Sequence, residues 1–293
     1  MRKSKILIIQ RRPGIGDMCV FLPCINAISK NFHNYEVHVL TKERSKAKDF
    51  LKYNNFIKKI IYLPKAKTFN LFYKIYKILK VEKYELCFIM HYGVRYYLIS
   101  KLAKIKNIFF YGPFKKNENI VKKSQIETKR WLKKNEIEFD AKISLGKNIK
   151  KKNQIILGIG GSGPTKKWKI SNYINLATMI CKKNIFTFVI AGGPLEIHEA
   201  YKIKKTLNDN QIKSISICDM EIGDTLEYLN ESKLYIGNDT GFMHLSGCLG
   251  VKSFPNLSFV DKIGFFKGHL IETILSFQFN VVSLSLCLYS EHL

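Results

Sequence analysis

The sequence predicts an α/β protein built from two Rossmann-like, doubly wound units. Three observations carry this expectation. Short runs of aliphatic and β-branched residues alternate with helical patterns, and they do so in two successive series. In each series one run passes through a small-residue turn straight into a helix: Ile6–Ile9 into Arg11-Arg12-Pro13-Gly14-Ile15-Gly16-Asp17, and Leu234–Ile236 into Gly237-Asn238-Asp239-Thr240-Gly241. Between the two series lies a polar, lysine-rich stretch from Lys115 to Asn153, which divides the chain into units over 1–150 and 151–293.

In the first unit strands are expected over 5–10, 36–40, 57–62, 84–90 and 107–111, with helices over 17–31, 44–53, 69–80 and 94–104. Ile6–Ile9 shows no polar alternation, the mark of a parallel strand covered on both faces. Val20, Leu22, Ile25 and Ile28 then recur at helical spacing. In the second unit strands are expected over 154–159, 185–191, 213–217 and 233–237, and helices over 171–183, 196–208, 223–231 and 241–249. The last of these carries Met243, Leu245 and Leu249. After Val251 the chain runs Lys252-Ser253-Phe254-Pro255-Asn256-Leu257 with no further element assigned. From Ile274 to Tyr289 it is uncharged but diluted by Ser, Gln and Asn, so a buried strand pair or helix is expected there rather than a membrane span.

Composition narrows the function class. With 46% apolar residues over 293 positions, the chain can fill two cores. The net charge of +26 invites a nucleic-acid reading, but only six of the 49 basic residues are arginine and the lysines are scattered. Base-edge readers favour the planar guanidinium, so no specific nucleic-acid partner is expected. Attraction to an anionic membrane surface or acidic glycolipid fits better. Seven cysteines form no C-x-x-C pair, which points to a reducing cytosol rather than to disulfides or zinc. Arg2, Lys3 and Lys5 precede too short an apolar run for a signal peptide, so a cytoplasmic location is expected.

The two turns carry the chemistry. A strand feeding a helix through small residues presents free N–H groups and the positive end of a helix dipole, a ready site for phosphate. Asp239 and Thr240 are positioned to cap the helix that Gly241 opens, and His244, one turn in, is placed to reach a phosphate oxygen. In the first turn Gly14 and Gly16 are followed by Cys19 where a dinucleotide fingerprint would have glycine, which argues against NAD or FAD. Asp17 instead puts a carboxylate at the carboxyl end of strand one, where open α/β sheets place ligands. On its own, an aspartate in that place also suits the cap of the helix that follows.

These residues resemble glycosyltransferase family 9, which contains the ADP-heptose:lipopolysaccharide heptosyltransferases. The resemblance rests on four motifs in order: Gly16-Asp17 with Arg11 upstream; Gly160-Gly161-Ser162 through Lys166-Lys167-Trp168; Ala191-Gly192-Gly193-Pro194-Leu195-Glu196; and Asp239-Thr240-Gly241-Phe242-Met243-His244-Leu245. It implies the GT-B fold, in which two Rossmann-like domains face across a cleft. It also implies an N-terminal domain for the acceptor, a C-terminal domain for a nucleotide-sugar donor, and inversion at the sugar carbon.

By that resemblance Asp17 is the general base, and Arg11 and Gly16 bind the acceptor. Arg11 would grip the acceptor's acidic groups or pair with Asp17. Ser162, Lys166, Thr240, Gly241 and His244 hold the donor diphosphate, with Lys167 a rival for the lysine role; Asp239 belongs to the same donor site at the helix start. Glu196 accepts from a ribose diol or simply complements a helix start. No Asp-x-Asp occurs in the chain, so lysine and helix dipole are expected to balance the diphosphate without a metal or other cofactor. The partners implied are a nucleotide-sugar donor, an anionic glycolipid acceptor and, peripherally, the cytoplasmic leaflet of the inner membrane. Two other readings keep this sequence: a nucleotide-sugar epimerase of similar architecture, and a basic membrane- or nucleic-acid-binding protein whose donor site has decayed.

Overall fold

The computed structural model describes residues 3–66, 68–145, 150–161 and 167–255. Within it the chain forms two compact α/β units, the first ending at Leu145.

In the first unit the strands are β1 (Lys5–Ile9), β2 (Glu36–Thr41), β3 (Lys59–Tyr62), β4 (Leu86–Ile89) and β5 (Asn107–Phe110). All pair in parallel in the order β3-β2-β1-β4-β5. The helices are α1 (Ile15–Asn31), α2 (Ala47–Leu51), α3 (Thr68–Glu82), α4 (Val94–Leu102) and α5 (Ile120–Leu132). Alternate residues of β1 serve opposite faces. Leu7 and Ile9 pack with Ile75 and Leu79 of α3 and Ile99 of α4. On the other face Phe88 lies 4.9 Å from Phe109 and 5.4 Å from Trp131 of α5, which stacks on Tyr111 at 4.4 Å.

The second unit repeats this topology. Its strands β6 (Gln154–Gly158), β7 (Thr187–Ala191), β8 (Ser214–Ser216), β9 (Leu234–Gly237) and β10 (Lys252–Pro255) run parallel in the order β10-β9-β6-β7-β8. Its helices are α6 (Ile170–Cys181), α7 (Ile197–Asp209), α8 (Ile222–Glu231) and α9 (Gly241–Cys248). Ile155, Leu157, Phe188 and Ile190 form the core with Leu176 and Ile180 of α6 and Ile203 and Leu207 of α7.

Three elements differ from expectation. The stretch after Lys115 is not all connection, because α5 lies in it. Its buried face is Ser124, Glu127, Thr128, Trp131 and Leu132, so a search for apolar periodicity passes over it. Asn119 starts this helix by accepting from the Lys122 N–H at 3.0 Å. The helix expected over 44–53 is broken at Lys46, whose φ of 51° places it in the left-handed region, leaving a short turn of 3₁₀ helix over Glu43–Ser45 and then α2. The segment after Val251, read without an element, forms the edge strand β10, where the proline at its end costs no ladder bond on the open side. The apolar run from 274 to 289 lies outside the described residues.

Candidate functional site

In each sheet the strand order reverses at one place, between β1 and β4 and again between β6 and β9. The crevice beyond the carboxyl ends of the strands at such a reversal is where open α/β sheets take ligands.

In the first unit that crevice is a cavity of about 390 Å³ lined by Arg11, Arg12, Pro13, Lys42, His91, Tyr92 and Phe114. Three of these are cations. His91 follows β4 and is buried, yet neither ring nitrogen has a hydrogen-bond partner. Gln10, at the end of β1, is equally buried and both its amide atoms are unpartnered. Such groups are costly unless a ligand or water satisfies them. Asp17 stands beside the cavity as the third residue of α1. Its Oδ2 accepts from the Gly14 N–H at 3.0 Å and its Oδ1 lies 3.7 Å from Arg12 Nη1. The pairing considered for Arg11 is therefore made by Arg12; Arg11 stays exposed on the cavity wall. Gly16 is the half-buried second residue of α1. The motif reading missed His91, Tyr92, Lys42 and Phe114. The topological signal that finds His91 and Tyr92 is the end of β4, across the reversal from β1; Lys42 follows β2 and Phe114 lies beyond β5.

Burial, with Arg11 and Arg12 adding to it, pushes the His91 imidazole down from 6.5 to about 4. Unfolded, the ring takes up a proton near its ordinary value; folded, it resists until about pH 4. Its contribution to stability is thus complete above pH 6.5 and is lost as pH falls to 4, a change of about 3 kcal/mol. His91→Gln should flatten the melting-temperature profile between those limits, and an unchanged profile would show that His91 is not held neutral.

In the second unit three turns converge. A side chain at Gly160, after β6, would touch the Thr240 methyl at 3.6 Å, Gly192 Cα at 3.7 Å and Glu196 Oε2 at 3.8 Å. The buried Asn238 fastens this corner: its amide donates to Gly160 O at 2.8 Å and Ile159 O at 3.2 Å, and its Oδ1 accepts from the Trp168 N–H at 3.2 Å. Trp168 packs edge-on to Tyr173 at 4.8 Å. Asn238 was not singled out from the sequence, although it sits inside the motif that was.

The expected donor residues fall as follows. Gly241 begins α9 and Thr240 is its N-cap, but the Thr240 hydroxyl makes no cap bond; it lies 3.2 Å from the Tyr235 hydroxyl. Asp239 Oδ1 is 3.2 Å from His244 Nε2, so these two side chains face each other at the helix start. Glu196 is buried, with Oε2 accepting from the Gly193 N–H at 2.8 Å and Oε1 paired with Lys167 Nζ at 2.8 Å. Lys167 also reaches Glu199 at 3.4 Å, and the hydrogen bond to Glu196 raises its pKa. Both Glu196 oxygens thus have donors within the protein, the arrangement of a carboxylate holding a helix start. Ser162 and Lys166 lie outside the described residues. Among the described residues no group of three His, Cys, Asp or Glu side chains is disposed to hold a metal, and no helix is long and apolar enough to cross a membrane.

Residues 112–254 match the model of glycosyltransferase family 9 (heptosyltransferase). The resemblance read from the motifs is borne out over that segment, which holds three of the four motifs. No curated protein matches the chain. Among solved structures, a glycosyltransferase family 9 protein from Veillonella parvula superposes with a TM-score of 0.71 at 14% identity, covering 87% of this chain and 81% of that one. The ADP-heptose LPS heptosyltransferase II of E. coli gives 0.68 at 14% identity, covering 86% and 84%. The E. coli heptosyltransferase WaaC, solved with ADP-2-deoxy-2-fluoro heptose, gives 0.69 at 12% identity, covering 86% and 88%. These likenesses establish the fold as GT-B, two Rossmann-like units.

Proposed function

We propose that this chain, which carries a family 9 glycosyltransferase match over residues 112–254, transfers a heptose or related sugar from a nucleotide-sugar donor to an anionic glycolipid acceptor such as a lipopolysaccharide core. One observation carries the reading: the turns after β6, β7 and β9 meet at Gly160, Gly192 and Thr240, beside the start of α9. Backbone approach is close there, and the free N–H groups of a helix start favour a diphosphate. The donor is ADP-heptose-like; the E. coli relative solved with an ADP-heptose analogue supports that choice.

The acceptor is held in the first unit. Arg11, Arg12 and Lys42 supply cationic charge for its acidic groups, and Gly16 lets it approach the start of α1. Asp17 accepts the proton of the acceptor hydroxyl as that oxygen bonds to the anomeric carbon. The bond from that carbon to the diphosphate oxygen breaks, with inversion. Negative charge then grows on the departing diphosphate, and groups already placed there lower the barrier. Lys167 is tied to Glu196 and Glu199, so Lys166 is the lysine we assign to the phosphates, with Ser162, Thr240, Gly241 and His244; Asp239 orients His244 rather than meeting the diphosphate. These groups balance the charge, so no metal is required. The reaction takes place at the cytoplasmic leaflet.

Thermal stabilisation by ADP, UDP, GDP and CDP tests this. A ligand that binds only the folded state adds about 2.7 kcal/mol at a hundred times its Kd. ADP is expected to raise the melting temperature selectively, equally in EDTA, and much less in Lys166→Ala and Thr240→Ala. No shift with any nucleotide would refute the transferase reading. Conversion of donor to a new nucleotide sugar without acceptor would favour an epimerase.

A further inference from the structure

We infer that the outward face of α4 docks on an anionic lipid bilayer. This helix buries Ile99 and Ser100 on its inner side, yet Val94, Leu98 and Leu102 on its outer side are 49%, 52% and 71% exposed. Their spacing of four puts them on one line along the helix. Arg95 and Lys101, both exposed, sit at the two edges of that line, by the 100° advance of each helical residue. Scattered exposed apolar residues are ordinary; three aligned on successive turns form a patch that marks an interaction site.

The surroundings match the patch. Lys101 Nζ lies 5.8 Å from the centre of the Tyr97 ring, a cation set over an aromatic face. The helix α3, which packs against α4, exposes Phe69 and Tyr73, with Lys77 Nζ 4.6 Å from the centre of the Tyr73 ring. Aromatic bodies with cationic heads suit the boundary between headgroups and acyl chains.

Charge selects the occupant. A helix face with an apolar centre and cationic edges, on a chain of net charge +26, complements an anionic leaflet. The choice of a bilayer also rests on the glycolipid-acceptor reading above. Tyr92, the residue before the turn into α4, is exposed and also lines the Arg11–Arg12 cavity. Docking by α4 would therefore bring the leaflet to the edge of the cationic cavity, where a lipid-anchored acidic sugar could enter without leaving the membrane.

The test is co-sedimentation of the full chain with phosphatidylcholine vesicles with and without phosphatidylglycerol. Wild type should bind the anionic vesicles. The double variant Leu98→Glu, Leu102→Glu should bind about tenfold more weakly, and Ile185→Glu, an exposed apolar position of the second unit, should bind like wild type. Hydrogen exchange of the α4 amides should slow when anionic vesicles are added. Equal binding by the double variant would show that scattered lysines alone hold the protein, and would overturn the inference. Failure of wild type to bind would do the same. A wild-type dimer that the double variant turns into monomer would assign the patch to a second copy instead. Stabilisation by ADP, measured on the same proteins, keeps the two readings apart, because it reports the donor site whatever the vesicles show.

Discussion

Gly237→Ala is expected to lower the melting temperature of the second unit by roughly 10 °C or more, as a cost of at least about 3 kcal/mol would require. Gly237 faces Gly158 across the β9–β6 ladder, at the place where the strand order reverses. A Cβ on Gly237 would come within 2.6 Å of the Gly158 Cα and nitrogen. Those are backbone atoms of the central strand, so no side-chain rotation relieves the contact. The two strands would have to part, breaking the Ile155–Gly158 pairing and the bond from the Asn238 N–H to Gly158 O at 2.9 Å. The opposite substitution fares no better, since the space beside Gly158 is filled by the fully buried Tyr235, whose hydroxyl is bonded to Asn238 O at 2.9 Å. Gly160→Ala is the control. Its methyl would meet neighbours only at ordinary contact distance, so it should melt within about 1 kcal/mol of wild type even if nucleotide binding suffers. Equal melting of Gly237→Ala and wild type by circular dichroism would mean that the strands do not approach as closely as described.

This close approach explains why the two turns stood out in the sequence. A parallel strand covered on both faces has to be apolar throughout, and a turn that brings backbone near a ligand has to be small; both leave local marks, as in Ile6–Ile9 and Gly237–Gly241. The helix α5 left none, because what it buries is Thr128 against the Tyr111 hydroxyl at 2.8 Å and Glu127 between Lys123 and Arg130. A buried face shared between polar groups and only two large apolar side chains, Trp131 and Leu132, leaves no apolar period. The same limit applies to the cavity in the first unit. Asp17 and Arg11 are visible because they flank one turn, whereas His91 and Phe114 join them only through the order of strands in the sheet. Asn238 is an intermediate case: its position is local, but its bonds to Ile159, Gly160 and Trp168 span some 70 residues and more.

Asp17→Asn should reduce kcat by at least about a hundredfold, the lower end of what a positioned general base supplies. The geometry makes this variant informative. One oxygen of Asp17 accepts from the Gly14 N–H, a bond that closes the first turn of α1, while the other faces Arg12 at the rim of the cavity. Asparagine keeps an acceptor for Gly14, so the loss of stability should stay within about 1 kcal/mol. What it cannot do is take a proton from an acceptor hydroxyl. Stabilisation by ADP should be unchanged, because the groups assigned to the donor all lie in the second unit. A helix cap with no further duty predicts the reverse pattern: full activity in Asp17→Asn and loss only in Asp17→Ala, through the fold. Were Asp17→Asn active, the base would have to be another group at this crevice. His91, held neutral with both nitrogens unpartnered, is the proton acceptor the described cavity offers. Comparing Asp17→Asn with Asp17→Asn, His91→Gln would then decide between them: activity that survives the first change and falls with the second would move the proton transfer from the start of α1 to the end of β4.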